Sequence, residues 1–112
     1  MSALSLVDPT RLQDWDDILS RTREMLDAAN AGDWDRVVVL EAERRNEISR
    51  FFSAGIAAYE TVHVRRGIQE ILESDRELLS MSQRQKRQRS ADIVQLRRRA
   101  SVQKAYEATA AG

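Results

Sequence analysis

The chain has 112 residues, a length for one domain with a modest core. Charged residues make up 32% of it and aromatics 5%, with four glycines and one proline, a balance that favours helices over sheets. Formal net charge is zero, yet residues 1–82 hold ten basic and sixteen acidic side chains while 83–104 hold eight basic and one acidic, so the molecule is a charge dipole and neither a polyanion nor a polycation.

With no cysteine, disulfides, thiolate metal sites and a cysteine nucleophile are excluded, and a cytoplasmic protein is the fitting expectation. Met1 to Asp8 has no basic n-region and no long apolar run. No window approaches the roughly 18 uninterrupted apolar residues that a membrane span needs, so no span and no secretory export are expected. A nucleophile with its base, a carboxylate pair and a glycine-rich phosphate loop are all missing, so the expectation is a non-enzyme without cofactor or metal.

In chain order, Asp8 and Pro9 read as a helix start: the carboxylate can accept from an orphan backbone N–H, and proline at the first helical position loses nothing by lacking its own. Leu12, Trp15, Ile18, Leu19, Thr22, Met25, Leu26 and Ala29 form one apolar face of a helix from Pro9 to Asn30, with Asp14, Asp16, Asp17, Arg21, Arg23, Glu24 and Asp27 outward. The run Asp14, Asp16, Asp17 lacks the spacing of a calcium loop and reads as a solvated face. Gly32 supplies a left-handed terminator and Asp33 the next cap. A second helix then runs from about Trp34 to Phe52, with Trp34, Val37, Val38, Ile48, Phe51 and Phe52 inward and Leu40, Glu41, Arg44 and Arg45 at the seam or its edges. Ser53 to Tyr59, with small residues and Gly55, is the second connection.

Between Thr61 and Arg99 there is no proline and Gly67 is the one glycine, so a single long helix is allowed. At 100° per residue Ile68, Ile71, Leu72, Asp75, Leu78, Leu79 and Ser82 share a face, to which Ile93 and Leu96 return after a gap holding Lys86 and Arg89. Asp75 interrupts the apolar seam and should find a cap, an arginine or the rim of a groove. By the helical rise this helix would be about 58 Å long against about 33 and 29 Å for the first two, outrunning them by roughly seventeen residues. An isolated helix of that size is marginal in water, so Gln83 to Arg99 should lie against something. Val102 and Tyr106, four apart, suggest a short detachable fourth helix after Ala100. The expected fold is all-α: an antiparallel three-helix bundle, core about 9–82, with an overlong third helix and a short mobile fourth helix within about 83–112.

The only histidine, His63, reads as a surface or half-buried side chain, and Trp15 and Trp34 as core or hairpin-closing residues. The basic side chains Arg84, Lys86, Arg87, Arg89, Arg97, Arg98 and Arg99 point all round their helix with no aromatic platform, so nucleic-acid binding is disfavoured against a solvated or protein-docking helix.

The turn Gly32, Asp33, Trp34, Asp35, the stretch IQEILESDRELL from Ile68 to Leu79, and the terminal Gln103, Lys104, Ala105, Tyr106 resemble the FliT family of flagellar export chaperones, over about Trp15 to Tyr106. The resemblance implies a small helical chaperone of the flagellar type III export system. Its client would be the filament cap protein FliD, kept soluble and handed to the export ATPase FliI and the gate component FlhA. In some family members the free chaperone also binds the flagellar master regulator. The family signature on the third helix falls on Ile68, Ile71, Leu72, Asp75 and Leu78, and the terminal motif on Gln103, Lys104, Ala105 and Tyr106. It further implies a C-terminal helix that covers part of the binding surface and regulates access.

The expected partner surface is thus Ile68, Ile71, Leu72, Asp75, Leu78, Leu79, Lys86, Arg89, Ile93 and Leu96, with Val102, Gln103, Lys104, Ala105 and Tyr106 as regulatory helix. Ile93 and Leu96 would carry affinity, Tyr106 would compete for their surface, and Lys86 and Arg89 would set orientation and on-rate. Two other readings compete: an arginine-rich nucleic-acid-binding regulator, and a structural homodimer whose overhangs pair as an antiparallel coiled coil.

Overall fold

A computed structural model describes residues 9–111, and among these every regular element is helical. Helix α1 spans Pro9–Asn30, α2 spans Trp34–Ser53, a 3-10 turn covers Ala58–Glu60, and α3 spans Thr61–Ala111. The expected cap at Asp8 lies outside the described residues. The chain divides into two compact units, the first ending at Leu78 and the second beginning at Leu79.

In the first unit α1 packs on α2. Their connection is built as the sequence predicts. Gly32 takes φ +76°, its N–H donates to the Ala29 carbonyl at 3.0 Å, and the Asp33 N–H reaches back to Ala28 at 2.9 Å. Together these form a Schellman turn, which satisfies two carbonyls at the end of α1. Asp33 then accepts from the Arg36 N–H at 3.1 Å and caps α2. Asp33→Ala is expected to cost about 1 kcal/mol, read as a lowered denaturation midpoint with an unchanged denaturant slope.

The two helices run antiparallel, because partners descend on α2 as they rise on α1: Arg11 donates to the Phe51 carbonyl, Arg21 to Glu47, and Arg44 on α2 to Thr22. Six of the eight apolar-face positions expected on α1 are buried: Trp15, Ile18, Leu19, Thr22, Met25 and Ala29. The face of α2 differs from the expected one. It is centred on Leu40, Arg44 and Phe51, with Val37 and Ile48 half-buried, while Val38 is 67% exposed. The 37, 40, 44, 48, 51 spacing makes a coherent helical stripe only if Arg44 is admitted to it.

Gly55, also at φ +76°, ends α2, and Arg11 fixes the connection that follows. Its guanidinium donates to the carbonyls of Phe51 and Gly55 at 2.9 and 2.7 Å and to Glu60 Oε2 at 3.1 Å. It also lies 3.9 Å from the centroid of the Phe51 ring. Glu60 is 2% exposed, so this is a buried carboxylate with a charged partner, the condition under which burial is tolerated.

The start of α3 rests on α1 through a close backbone contact. A Cβ placed on Gly67 would lie 2.3 Å from Trp15 Nε1 and 2.6 Å from Cε2, so the indole is seated where only glycine leaves room. Trp15 is fully buried, rings centred 5.1 Å from Phe51 and 5.8 Å from Phe52, and its N–H has no acceptor. Asp16 to His63 at 2.9 Å and Arg23 to Glu70 at 2.8 Å tie the same two helices at the surface, partners rising together, so this part of α3 runs in the direction of α1.

The short fourth helix expected after Ala100 does not form as a separate element: α3 continues to Ala111. The reason is local. No glycine or proline follows Gly67 before Gly112, and the residues around Ala100 include alanine, arginine and glutamine, strong helix formers that give the chain no place to turn.

Candidate partner-binding surface

The third-helix positions expected on one seam separate into two groups. On the first unit, Val64, Gly67, Ser74 and Leu78 are buried and Ile71 is half-buried, packed against the Trp15, Phe51 and Val64 cluster. The packed face is therefore rotated about 60° from the expected seam, by the 100° step of the helix. Ile71 and Leu78 are core. Ile68 and Leu72, at 39% and 52% exposure, lie on the open side. Val64 belongs to the core and was not anticipated.

Asp75 finds the arginine that its position demanded. Arg44 donates from both terminal nitrogens to its two oxygens at 2.9 and 3.1 Å, and also to Thr22 Oγ1 at 3.2 Å. The Arg44 side chain is 8% exposed and that of Asp75 42%, so the cation is buried and the anion sits at the rim. Each carboxylate oxygen takes one guanidinium N–H, which leaves outward lone pairs for a further donor.

Elsewhere on this unit several charges are matched within it, while Arg50, Arg65, Arg66 and Arg76 make no ion pair with any described residue. Arg21 stands 2.8 Å from Glu47 and 3.3 Å from Glu43, and the hydrogen bond to Glu47, chiefly, raises its pKa. Arg45 pairs with Glu41 one turn before it, and that hydrogen bond holds the Glu41 carboxyl below the usual range. A crevice of about 440 Å³ between α1 and α2 is lined by Asp14, Asp17, Ile18, Arg21, Arg50 and neighbours, and within it Arg21 is bound to Glu47. Among the described residues no cluster of three metal-ligating side chains occurs, and no helix is long and apolar enough to cross a membrane.

The second unit is different. From Lys86 to Ala110 every residue is exposed. Leu79, Ile93 and Leu96 are 60%, 49% and 61% exposed, and Val102 and Tyr106 both 70%. Its cations, Lys86, Arg89 and Arg97 to Arg99 among them, make no ion pair with any described residue, unlike Arg21, Arg23, Arg44 and Arg45 of the first unit. Gln88 donates to Asp92 at 3.0 Å and Gln103 to Glu107 at 3.1 Å, so both acids are taken up by amides one turn away.

Val94 was missed by the seam reading. It borders two shallow apolar depressions, one with Arg97, Arg98, Ser101 and Val102, the other with Ser90, Ala91, Gln95 and Arg98. The signal was available in the spacing of Ala91, Val94 and Val102 but falls off the face defined by Ile93 and Leu96. Tyr106 does not cover Ile93 and Leu96 in this conformation: along a continuous helix it stands about 20 Å from Ile93 by the helical rise. Lys104 and Ala105 are exposed beside it, and the Ala105 carbonyl accepts from Thr109 at 2.9 Å.

The surface of the second unit holds apolar side chains and unpaired cations on an exposed helix. No curated protein and no solved structure matches the chain. The family model described as "Flagellar protein FliT" matches residues 12–108, from the first turns of α1 to the last turn of α3, and the chain belongs to the FliT family.

Proposed function

We propose that this protein is a cytoplasmic chaperone of flagellar export that binds the filament cap protein FliD, prevents its premature assembly and delivers it to the export apparatus through FliI and FlhA. In this reading α1, α2 and the first part of α3 act as a three-helix bundle that anchors the binding helix. The carrying observation is the run from Lys86 to Ala110, exposed at every position yet containing Ile93, Val94, Leu96, Val102 and Tyr106. An exposed helix with this much apolar surface fits capture of an amphipathic client helix, with Leu79, Ile93 and Leu96 as anchors. On the first unit Ile68, Leu72 and Asp75 form a separate recognition patch. Lys86 and Arg89, unpaired, attract an acidic client segment and raise its association rate.

The continuity of α3 favours Val102 to Tyr106 as part of the docking surface over a lid upon it, with access regulated by which partner occupies the segment. Titration calorimetry against the C-terminal segment of the filament cap protein tests this. Leu96→Ala and Tyr106→Ala should each weaken binding about tenfold or more while circular dichroism stays unchanged, since both side chains are exposed. Tighter binding by Tyr106→Ala would restore the inhibitory reading, and no binding by a folded wild-type protein would overturn the client assignment.

A further inference from the structure

The cations of the second unit are spread unevenly round its helix. By the 100° step, Lys86, Arg89, Arg97 and Lys104 fall in one row and Arg84, Arg87 and Arg98 in another, about 135° away. The strip between the rows, about 40° wide, holds only Gln83, Ser90, Val94 and Ser101 from this stretch. Asp92, the one acid of residues 83–104, stands about 180° from the middle of the strip, and Arg99 is the only cation on that far side. All the cations of the two rows are exposed, and none pairs with a described residue. The strip is also the low ground of the surface: Ser90, Val94 and Ser101 line two shallow depressions, with Arg97 and Arg98 at their borders.

We propose that the second unit binds duplex DNA, without sequence preference, by laying this strip in the major groove. Charge and shape select the occupant. A helix with its side chains is about 10 to 12 Å across and the major groove of B-form DNA about 12 Å, so the two flanks of the helix meet the two bordering phosphate backbones. Each flank carries one row of cations. The small side chains of the strip let the helix approach the groove floor, where serine and glutamine offer hydrogen bonds that any base pair can take. Asp92 then faces away from the phosphates. The aromatic platform that this segment lacks serves single strands, whose bases are free to stack, and a duplex requires none. An even spread of the cations was the other ground for disfavouring nucleic acid, and the two rows remove it. A-form RNA is a poor occupant, because its major groove is too narrow for a helix. Leu96 and Tyr106 both lie about 140° from the middle of the strip, so DNA binding is independent of the client reading.

Fluorescence anisotropy of the full-length chain with a labelled mixed-sequence duplex tests this. Binding should be micromolar at about 50 mM salt, and the logarithm of the association constant should fall against that of the salt concentration with a slope of about −4 or steeper. Ser90→Glu, in the strip, should weaken binding at least about tenfold, whereas Gln88→Glu, about 160° round the helix, should change it less than about threefold. Both add one negative charge at neighbouring exposed positions, so a polycation without a binding face would lose equally in the two. Circular dichroism should show the same helix content in both. Equal losses, no binding at about 0.1 mM protein, or equally tight binding to an RNA duplex or to phosphatidylglycerol vesicles would each overturn the proposal. No client is present in these measurements, so their failure leaves the client assignment to its own titration.

Discussion

Replacing Gly67 with alanine is expected to destabilise the protein by about 2 kcal/mol, although alanine is the better helix former. Two effects oppose each other. In a helix interior the exchange gains about 1 kcal/mol from backbone entropy and propensity. Against this, the new Cβ would lie 2.3 Å from Trp15 Nε1 and 2.6 Å from Cε2 and Cζ2, inside any contact that real side chains show. The indole is fully buried and bounded by Phe51 and Phe52, so it cannot swing away as a lysine tip would. Overpacking of this kind costs about 3 kcal/mol, and the clash wins. Urea unfolding of Gly67→Ala, Trp15→Phe and the pair would separate the contributions. Phenylalanine removes the atoms in conflict, so the double variant should be less destabilised than the sum of the singles. A gain of stability in Gly67→Ala would mean that Trp15 is not seated on the α3 backbone.

That contact also explains which part of the fold was legible in the sequence and which was not. The C-terminal end of α1 and the start of α2 were readable because their determinants are local: a glycine that takes φ +76° and an aspartate whose carboxylate meets the N–H of Arg36. The apolar face of α1 was readable because large side chains mark it. On α3 the packed face is marked by Gly67 and Ser74, whose value is their smallness, and a hydrophobic pattern gives such residues no weight. The seam was consequently drawn through Ile68 and Leu72, which are exposed. Ile68 and Leu72, which were also expected on the partner surface, are thus outside the core and open to solvent.

Arg44, expected at the seam of α2 or its edges, lies deeper than that reading put it, for the opposite reason. Charged residues are assigned to the outside of a helix by default, and Arg44 reaches burial only because Asp75 and Thr22, far away in the chain, meet it. Arg11 and Glu60 escaped notice likewise, since their pairing closes a loop across forty-nine positions. The absence of a fourth helix is a local property that could have been read: the pair Val102 and Tyr106 suggested a new apolar face, but a new face without a breaker is a continuation of the helix.

Asp75→Ala should cost about 2 to 3 kcal/mol, more than Arg44→Met, and the inequality is the informative quantity. The two partners are not equivalent. The Arg44 side chain is 8% exposed, so loss of the carboxylate strands a guanidinium that retains only the Thr22 hydroxyl. Asp75, 42% exposed, can turn to water when the cation is removed, and methionine fills most of the volume that arginine leaves. Breaking a fully buried pair from one side costs about 3 to 5 kcal/mol, and the exposure of Asp75 scales that down. Arg44→Met alone should cost about 1 kcal/mol or less, and adding Asp75→Ala to it should cost little more, giving a coupling of at least about 1 kcal/mol in the double-mutant cycle. Equal penalties for the two single variants would show that Arg44 is solvated in solution and that the bridge across α2 and α3 does not hold α3 in place. The larger penalty for Asp75→Ala would instead establish that an acidic residue at the rim of the proposed recognition surface is kept there first by the core, and only its outward lone pairs are free for a partner.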